Sequence, residues 1–374
     1  MDRALAESIH RDLDKKIILL TGPRQCGKTT LARSLDAAHD YLSFDDIAHR
    51  QRILQRGWDL DAPYVVLDEL HKMRRWKAWL KGVYDTREKG PAILVTGSAR
   101  LDTYRKVGDS LAVRFFLYQL HPLDPRELAQ VAPELSPAEV QRRLLAFGGF
   151  PEPFLENDEA FYGKWSRSHL DIILRQDLID LASVRDIASI EMLTDLLRDR
   201  VGSPLSYRSL AEDLRVSDKT VKHWIDLLEG MYLVFRVRPL SRDIARANAK
   251  KPKFYFYDIA RVRGDEGVRL ENLVACSLLK ECHRRRDVLG QDWSLAYLAK
   301  RGGREVDFVL LRDRRPITMI EVKYRDDRPS KNFALFAKDL PDVRKVQLVA
   351  TLERERRRPN DVEIRQATRW LATW

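Results

Sequence analysis

The segment GPRQCGKT, residues 22–29, constrains the fold of this 374-residue chain more than any other feature. It fits the pattern G-x-x-x-x-G-K-[ST] in full, and it lies between an apolar segment typical of a strand and a segment with helical spacing. In that context the backbone N–H groups of the loop converge on phosphate oxygens, and the following helix N-terminus adds positive potential. The pattern therefore predicts a strand, a phosphate-binding loop and a helix in succession.

The residue types of this loop match the needs of a bound triphosphate. Gly22 and Gly27 leave the backbone free to bend, and Lys28 carries a charge that reaches the β- and γ-phosphates. Thr29 supplies a hydroxyl for Mg²⁺, and Thr30 follows it in the helix. We therefore predict that these five residues bind ATP together with Mg²⁺.

Two acidic residues follow a later apolar segment. The sequence YVVLDE, residues 64–69, predicts a buried strand that ends in Asp68 and Glu69. Asp68 is the candidate for the Mg²⁺ shell, and Glu69 is the candidate for orienting or deprotonating the attacking water. A surface turn after a buried strand is the alternative interpretation of the pair.

Two further residues follow or begin strands and would approach the triphosphate. Ser98 follows the strand predicted at residues 92–96 and is a candidate sensor of the γ-phosphate, with an ordinary Gly-Ser turn as the alternative. Arg114 lies at the start of the strand predicted at residues 113–117, and it is a candidate to stabilise transition-state charge on a neighbouring subunit's nucleotide. A solvated arginine is the alternative. If Arg114 acts on a neighbouring subunit's nucleotide, the protein is a homo-oligomer with nucleotide at its subunit interfaces.

Together these segments resemble a known family. The phosphate-binding loop, the acid pair in LDEL at residues 67–70, the turn TGS at residues 96–98 and the segment PLDPREL at residues 122–128 are similar to those of AAA+-type P-loop ATPases of bacteria and archaea. The C-terminal half of those proteins is a domain of unassigned function, and the resemblance covers nearly the whole chain. It implies ATP hydrolysis. His71 stands where the family usually has Gln, and Val113 stands where it usually has Gly.

A helix-turn-helix pattern lies in the middle of the chain, at residues 206–225. Apolar residues form one side of both predicted helices, and Ser217 is the predicted N-cap of the second helix. Two predicted strands follow, which would be the wing of a winged helix. A recognition helix contacts DNA near its exposed N-terminal side, where this helix carries Lys219, Thr220, Lys222 and His223.

The segment that contains the two strands is strongly basic. Residues 236–253 contain seven Lys and Arg residues against one Asp, an excess that favours contact with phosphates. Within the loop the candidate DNA contacts are Arg242, Arg246, Lys250 and Lys251. A winged helix can also serve only to bind proteins, and that alternative stays open.

The last part of the chain carries charged residues on two consecutive predicted strands. Asp307 and the segment IEVK, residues 320–323, fit the pattern D-x(13)-E-x-K, and Glu271 lies on an upstream helix. The period of two in a strand puts Glu321 and Lys323 on one face. This arrangement resembles the PD-(D/E)xK restriction-endonuclease-like superfamily. The resemblance implies that the three acids gather Mg²⁺ at a scissile phosphate and that the lysine assists the attacking water. A fold that is retained without cleavage is the alternative.

The order of these segments predicts an α/β architecture in four parts. Strands alternate with helices in residues 1–125, which predicts a parallel sheet covered by helices. The resemblance implies that this part is an AAA+-like P-loop ATPase domain. Residues 126–205 are a predicted helical linker region, and residues 206–258 are the predicted winged helix-turn-helix. Residues 259–374 are the predicted PD-(D/E)xK nuclease-like domain, a second α/β unit.

Composition limits the partners and the compartment. The chain has 67 Lys and Arg against 56 Asp and Glu, a net charge of +11 that favours polyanionic partners such as DNA. No apolar run approaches the roughly 18 residues of a membrane span, and the first 16 residues lack the apolar core of a signal peptide. Three cysteines are too few for a disulfide framework. We expect a cytoplasmic protein with reduced thiols and no membrane partner.

Two functional hypotheses follow. The first is Mg²⁺-dependent ATP hydrolysis coupled to DNA binding, with DNA processing by the nuclease-like domain. The second is a nucleotide-dependent regulatory ATPase that binds protein partners, in which the nuclease-like fold is inactive. DNA cleavage that depends on Asp307 and Lys323 would separate them.

Overall fold

The computed structural model describes residues 3–87, 90–97, 113–177, 186–241, 251–300, 302–358 and 361–374. The chain divides into two compact units. The first comprises residues 1–121 and 230–232, and the second comprises residues 122–229 and 233–374. Each unit contains its own β-sheet.

The first unit contains a five-stranded parallel sheet. Its strands are β1 (Ile17–Thr21), β2 (Asp40–Ser43), β3 (Tyr64–Asp68), β4 (Ala92–Thr96) and β5 (Phe115–Gln119). They lie in the order β2-β3-β4-β1-β5, and every pairing is parallel, so the predicted parallel sheet is confirmed. The described helices of this unit are α1 (Ala6–Leu13), α2 (Lys28–Ser34), α3 (Ile47–Gln55) and α4 (Trp76–Thr86), and a 3₁₀ turn covers Leu70–Lys72.

Continuous burial explains the parallel pairing. Every residue of β1 and β3 is buried, and both strands are apolar runs that end in a polar residue. Such runs are typical of parallel strands covered on both faces. In open sheets of this kind, ligands bind at the carboxyl ends of the strands. The loop after β1 and the acids at the end of β3 therefore lie at the edge where a ligand is expected.

One strand of this sheet begins later than the sequence pattern predicts. The pattern starts at Val113, but β5 begins at Phe115. Val113 has φ 71° and is 82 % exposed. A β-branched residue in the left-handed region cannot be part of an extended strand. Arg114 therefore lies in the turn that leads into β5.

The second unit begins with three helices that start at prolines. Asp124, Ser136 and Phe150 are N-cap residues, and a proline follows each of them. Prolines often interrupt helices, but at the first helical position the missing N–H has no intrahelical partner and the fixed φ suits a helix. These helices are α5 (Pro125–Val131), α6 (Pro137–Phe147) and α7 (Pro151–Glu156).

Further helices and an eight-stranded sheet complete the second unit. The helices are α8 (Glu159–Asp171), continued by a π-helical segment at Ile172–Asp177, α9 (Ile187–Arg198), α10 (Tyr207–Leu214), α11 (Asp218–Gly230), α12 (Glu266–Leu289), α13 (Lys331–Ala337) and α14 (Ala367–Thr373), and a 3₁₀ turn covers Ile259–Arg261. The strands are β6 (Val234–Pro239), β7 (Lys253–Phe256), β8 (Trp293–Ala299), β9 (Glu305–Arg312), β10 (Arg315–Lys323), β11 (Arg344–Val349), β12 (Arg356–Arg358) and β13 (Val362–Gln366). Their order is β12-β13-β11-β10-β9-β8-β6-β7.

The strands predicted as a wing are part of this second sheet. β6 and β7 form an antiparallel pair, and Arg238 and Pro239 of β6 also pair in parallel with Ala296 and Tyr297 of β8. The predicted boundary between residues 258 and 259 therefore falls between strands of one sheet. No local pattern indicates this pairing, because β6 and β8 lie far apart in the chain.

Each unit has a core where a sheet meets a helix. In the first unit Val65 and Leu67 of β3 pack with Leu80 of α4. In the second unit Val309 of β9 packs with Phe333 of α13. Among the described residues, no helix combines the length and the apolar character that crossing a bilayer requires.

Candidate functional site

The predicted phosphate-binding loop connects β1 to α2, and its backbone requires two glycines. Gly22 has φ 146°, and a Cβ at that position would lie 2.1 Å from the carbonyl oxygen of Leu120. Gly27 has φ 93° and is the N-cap residue of α2. Residues with a Cβ rarely adopt either conformation. Both positions therefore need glycine, in agreement with the motif.

Lys28 lies against this loop with its ammonium directed at the backbone. Its Nζ donates to the carbonyl oxygen of Gly22 at 3.0 Å and to that of Pro23 at 2.6 Å. The residue is only 8 % exposed, whereas Thr30 is exposed in the first turn of α2. The charge of Lys28 is therefore held at the loop by neutral carbonyl groups.

Arg3 supports the same loop from outside the motif. It donates to the carbonyl oxygens of Cys26 and His121, both at 2.5 Å, and it is buried. Sequence analysis missed this residue because it precedes the motif by many positions and carries no pattern of its own. Its contacts help to fix the loop between Gly22 and Gly27.

Asp68 is surrounded by hydroxyl groups at the end of β3. Its Oδ2 accepts hydrogen bonds from Thr29 Oγ1 at 3.1 Å and from the Tyr41 hydroxyl at 2.5 Å. Its Oδ1 accepts from the Thr96 hydroxyl and from the Glu69 N–H, the latter at 3.1 Å. The structure thus brings Thr29 and Asp68 together. Hydroxyl and carboxylate oxygens are ligands that suit Mg²⁺, so these two residues fit the ion.

Sequence analysis missed Tyr41 and Thr96 as partners of this carboxylate. They lie on β2 and β4, which flank β3 in the sheet. Burial and the nearby Asp68 raise the pKa of the Tyr41 hydroxyl above its ordinary value, so this hydroxyl remains a donor. A hydroxyl near the carboxyl end of a predicted neighbouring strand is the signal that would have found both residues.

Glu69 adopts a left-handed backbone conformation directly after β3. Its φ is 55°, and its Oε2 lies 3.6 Å from both His71 Nε2 and Lys72 Nζ. Burial raises the pKa of this carboxyl, Lys72 opposes the shift and Asp68 adds to it. The same Oε2 is buried and has no hydrogen-bond donor among the described residues. Glu69 is therefore a partly desolvated carboxylate beside Asp68, as a general base would be.

Arg114, the candidate for a neighbouring subunit's nucleotide, lies in the turn before β5. Arg114 forms a two-point ion pair with Asp85 of α4, with nitrogen-to-oxygen distances of 2.7 and 3.2 Å. Its guanidinium is therefore held by its own chain. Ser98 lies outside the described residues.

The predicted recognition helix is α11, and its first turns carry an exposed basic face. We define the α11 basic face as Lys219, Thr220, Lys222 and His223. The two lysines and the histidine are exposed, and Thr220 is half-buried. Ser217 Oγ accepts the Thr220 N–H at 3.1 Å, which confirms the predicted N-cap. Lys251 is also exposed, whereas Arg242, Arg246 and Lys250 lie outside the described residues.

Two of the seven basic residues counted at residues 236–253 are not available to an external partner. Arg236 forms ion pairs with Asp226 and Glu229 and donates to the Tyr207 hydroxyl at 3.1 Å. Lys253 is fully buried among carboxylates. The expected positive surface of this segment is therefore smaller than its composition indicates, because part of the charge is neutralised internally.

The acids predicted in the last part of the chain lie close to one another in the second unit. Glu271 is on α12, Asp307 is on β9, and Glu321 is on β10. Asp307 Oδ2 accepts the backbone N–H of Val322 at 2.8 Å, which ties β9 to β10. Lys323 Nζ lies 3.0 Å from Glu321 Oε1. With Glu305 at the start of β9, we call the four carboxyl groups the acidic cluster.

Lys253, on β7, inserts its ammonium into the acidic cluster. Its Nζ lies 2.9 Å from Glu305 Oε1, 3.6 Å from Glu271 Oε1 and 3.9 Å from Asp307 Oδ1. Tyr255, two residues later on β7, donates to Glu271 Oε1 at 2.7 Å. Sequence analysis treated Lys253 as a surface charge. Every residue of β7 is buried, and the place of this strand in the sheet is what buries the side chain.

Burial and mutual repulsion set the protonation of the cluster. Burial raises the pKa of Glu271 to about 8, Asp307 adds to the shift, and Lys253 opposes it. Burial lowers the pKa of Lys253, but Glu271, Asp307 and Glu305 outweigh that effect and raise it overall. Lys253 is therefore charged at neutral pH, while Glu271 retains its proton more readily than an exposed glutamate.

As arranged, the acidic cluster does not fit a divalent metal ion. The predicted ligands were Glu271, Asp307 and Glu321, but the ammonium of Lys253 lies where it contacts both of the first two. Within the described ranges, no group of three His, Cys, Asp or Glu side chains is arranged to hold a metal ion. The physical reason is that a buried lysine already supplies the positive charge that these acids require.

Comparison with protein families agrees with the geometry of the loop. Residues 14–129 match the family model of the AAA domain. Residues 138–263 and 266–368 match two further models, each described as a domain of unknown function, DUF8612 and DUF4143. Residues 14–129 therefore have an AAA-like P-loop ATPase fold, and the matches to the rest of the chain assign no activity to it.

Two relatives illustrate the range of similarity. Uncharacterized protein Rv2008c of Mycobacterium tuberculosis is 26 % identical over 258 residues, which cover 68 % of this chain and 56 % of that protein. Uncharacterized protein MJ1544 of Methanocaldococcus jannaschii is 22 % identical over 378 residues, which cover 91 % of this chain and 83 % of that protein. The chain thus spans little more than half the length of the mycobacterial relative.

Among solved structures, the Walker-type ATPase PABY2304 of Pyrococcus abyssi is 14 % identical, with a TM-score of 0.42. The alignment covers 71 % of this chain and 94 % of that one. Likeness at this level is too low to support an assignment. The AAA-like fold of residues 14–129 therefore rests on the family model and on the loop geometry.

Proposed function

We propose that this chain hydrolyses ATP at the loop of its first unit and couples the reaction to DNA binding through its second unit. The AAA-like fold of residues 14–129 supports nucleotide binding. The observation that carries the proposal is the 3.1 Å hydrogen bond from Thr29 Oγ1 to Asp68 Oδ2, which joins two residues 39 positions apart. This contact unites the end of the phosphate-binding loop with the strand that ends in the acid pair.

Each residue of this site has a chemical task in the proposal. Lys28 binds the β- and γ-phosphates, as its position at the loop allows. Mg²⁺, held by Thr29 and Asp68, supplies positive charge near the phosphate oxygens when it is bound. Glu69 orients the attacking water and accepts its proton, and its raised pKa makes it a stronger base than an exposed glutamate.

Assembly is a further part of this proposal. Arg114 acts at the nucleotide of a neighbouring subunit in a homo-oligomer, and it must then leave its ion pair with Asp85. Asp85→Ala is expected to raise the ATP turnover of the assembled protein, because it removes this ion pair. Arg114→Ala is expected to lower it, and an equal turnover in all three proteins would contradict the role.

The α11 basic face supports DNA binding. Its two lysines and one histidine are exposed on the first turns of a helix that follows a short turn. Exposed Lys251 adds a charge elsewhere in the same unit, and the chain has a net charge of +11. Lysines that contact phosphate release counterions, which gives an affinity that falls steeply with salt.

An ATPase assay with and without DNA tests the first half of the proposal. Lys28→Ala is expected to abolish turnover, because the residue that neutralises the phosphates is lost. Lys15→Ala is the matched control, since Lys15 is an exposed lysine of the same unit. Unaltered turnover in Lys28→Ala, with a folded protein, would refute the ATP site.

A salt titration of DNA affinity tests the second half. Lys219→Ala combined with Lys222→Ala is expected to reduce the slope of log affinity against log salt by about 2, since each phosphate contact contributes about 0.9 for duplex DNA. The control is Lys164→Ala combined with Lys331→Ala, which removes two exposed lysines elsewhere in the same unit. An equal slope in both double variants would show that the α11 basic face does not contact DNA.

A regulatory ATPase with a nuclease-like domain that does not cleave DNA is the second candidate. The specific observation in its favour is the ammonium of Lys253 inside the acidic cluster. Supercoiled, linear and branched DNA, each incubated with Mg²⁺ or Mn²⁺, separates the candidates. Cleavage that is lost in Asp307→Ala and in Lys323→Ala would establish DNA processing. DNA binding without cleavage would favour a binding ATPase, and the absence of both would favour protein partners.

A further inference from the structure

We propose that Lys253 is the resident cation of the acidic cluster and that a divalent metal ion binds there only by displacing it. This inference concerns the cluster alone and does not depend on ATP hydrolysis or DNA binding. It follows from the mismatch between the metal site that the motif implies and the residues that surround the acids. The sequence motif contains the acids and Lys323 but not Lys253.

The ammonium of Lys253 lies close to three carboxyl groups. Lys253 Nζ contacts one oxygen of each of Glu305, Glu271 and Asp307, at 2.9, 3.6 and 3.9 Å. An ammonium has three N–H donors, which is one for each of these carboxyl groups. Divalent ions of this kind would sit against the same oxygens at about 2.0 to 2.6 Å. The two cations therefore compete for one place.

The positive charge of Lys253 is buried. Lys253 is 0 % exposed, and burying an ammonium is unfavourable unless it is paired. Its neighbours supply that pairing, so the position of the side chain is fixed by the acids and not by water. Lys323 differs in this respect, because it is partly exposed and pairs with Glu321 only at its own end of the cluster.

β7 places both Lys253 and Tyr255 beside the acidic cluster. Alternate side chains of a strand lie on one face, so Lys253 and Tyr255 approach the cluster together. The Tyr255 hydroxyl donates to the same Oε1 of Glu271 that Lys253 contacts. The strand thus places one hydrogen-bond donor and one positive charge beside the same acid, and both would have to adjust if a metal ion took that oxygen.

Titration of the full-length, nucleotide-free protein with Mn²⁺ by isothermal calorimetry tests the proposal. Lys253→Met combined with Glu305→Gln removes the resident cation and one acid, which leaves the net charge of the cluster unchanged. We expect this variant to bind Mn²⁺ at least tenfold more tightly than the natural sequence. Lys164→Met is the matched control, because Lys164 is an exposed lysine of the same unit, and it should leave Mn²⁺ affinity unchanged.

Glu305→Gln alone completes the set. It keeps Lys253 in place, so Mn²⁺ affinity should not rise. Equal affinity in the double variant and the natural sequence would overturn the proposal. Tight binding by the natural sequence that Asp307→Asn abolishes would also overturn it, because Lys253 would then not hinder the metal ion.

The natural sequence provides a test even if the double variant does not fold, as judged by circular dichroism. Mn²⁺ binding that is the same in the natural sequence and in Asp307→Asn supports the proposal, since the cluster then takes up no ion while Lys253 is present. ATP turnover and its loss in Lys28→Ala are measured separately. A failure of the proposed ATPase is therefore distinguishable from a failure of the proposal for Lys253.

Discussion

The two groups of acids in this molecule differ in what neutralises them. Asp68 in the first unit accepts hydrogen bonds from three hydroxyl groups and one backbone N–H, all of them uncharged. The acidic cluster in the second unit instead surrounds the ammonium of Lys253. Uncharged donors orient a carboxylate but do not neutralise it, so its negative charge can still bind a metal ion. A buried ammonium neutralises that charge. The two groups of carboxylates therefore have different capacities for Mg²⁺.

Removing each lysine should have very different effects on stability, and this is the largest difference that we expect. Lys253→Met should lower the free energy of unfolding of the second unit by about 3 to 5 kcal/mol, because it leaves buried carboxylates without their partner. Lys28→Met should cost the first unit less, about 1 to 3 kcal/mol, since two hydrogen bonds to neutral carbonyl groups are lost and no buried charge is left without a partner. Urea unfolding followed by segment-resolved hydrogen exchange measures both. Similar losses would remove the distinction between the two regions.

Replacing one aspartate in each region should separate them in catalysis. Asp68→Asn should reduce ATP turnover by about 100-fold, or about 2.7 kcal/mol, because it removes the charge that holds the metal. Asp307→Asn should leave turnover within about twofold if its carboxylate has no part in that reaction. Steady-state assays at saturating Mg²⁺ give both values. A comparable loss in Asp307→Asn would show that the cluster takes part in nucleotide hydrolysis.

The pH dependence of stability should distinguish the cluster through Glu271. Its pKa is raised to about 8 in the folded protein, so the folded state binds more protons than the unfolded state between about pH 4.5 and pH 8. The stabilisation is complete below that window and is lost as pH rises through it. The unfolding free energy should fall by up to about 1.4 kcal/mol per pH unit there. Glu271→Gln should remove this slope, and an unchanged slope would refute the raised pKa.

Tyr41→Phe should have the smallest effect. It deletes one hydrogen bond to Asp68 Oδ2 and leaves the Thr29 and Thr96 hydroxyls in place. One such bond is worth about 1 kcal/mol, so the Mg²⁺ concentration for half-maximal turnover should change by roughly fivefold. Tyr84→Phe is the control, because Tyr84 lies on α4 and is not among the described residues that donate to this carboxylate. An equal effect in both variants would argue against a positioning role for Tyr41.

The first sheet could be predicted almost residue by residue because its signals are local. The observed bounds of β4 are those of the predicted strand, β1 directly precedes the loop region as the pattern predicts, and the loop glycines have the φ values that the motif implies. The partners of Asp68 were missed because Tyr41 and Thr96 reach it through strand pairing, which no single segment reveals. The predicted start of β5 at Val113 was wrong, because an apolar side chain does not indicate that the backbone of this residue is left-handed.

The second sheet was less predictable because its important contacts join distant segments. Counting charges placed Lys253 and Arg236 on a basic surface. In the structure Glu305 neutralises Lys253 and Asp226 neutralises Arg236, and both acids lie outside the basic segment. The four motif residues were placed on the correct kinds of element, but the acid set alone does not indicate which cation it holds. That identity depends on β7, which the pattern assigned to another domain.

The pairing of β6 with β8 has a consequence for dissecting the protein. A fragment that starts at residue 259 would lack β6 and β7, so the part of β8 at Ala296 and Tyr297 would lose its paired strand. Bare edges of this kind associate with other chains. The same cut would remove Lys253 and Tyr255 and leave their acids unbalanced. If the fragment that starts at residue 259 is insoluble, the cause would be the interrupted sheet. Its insolubility would not show whether the remaining residues are active.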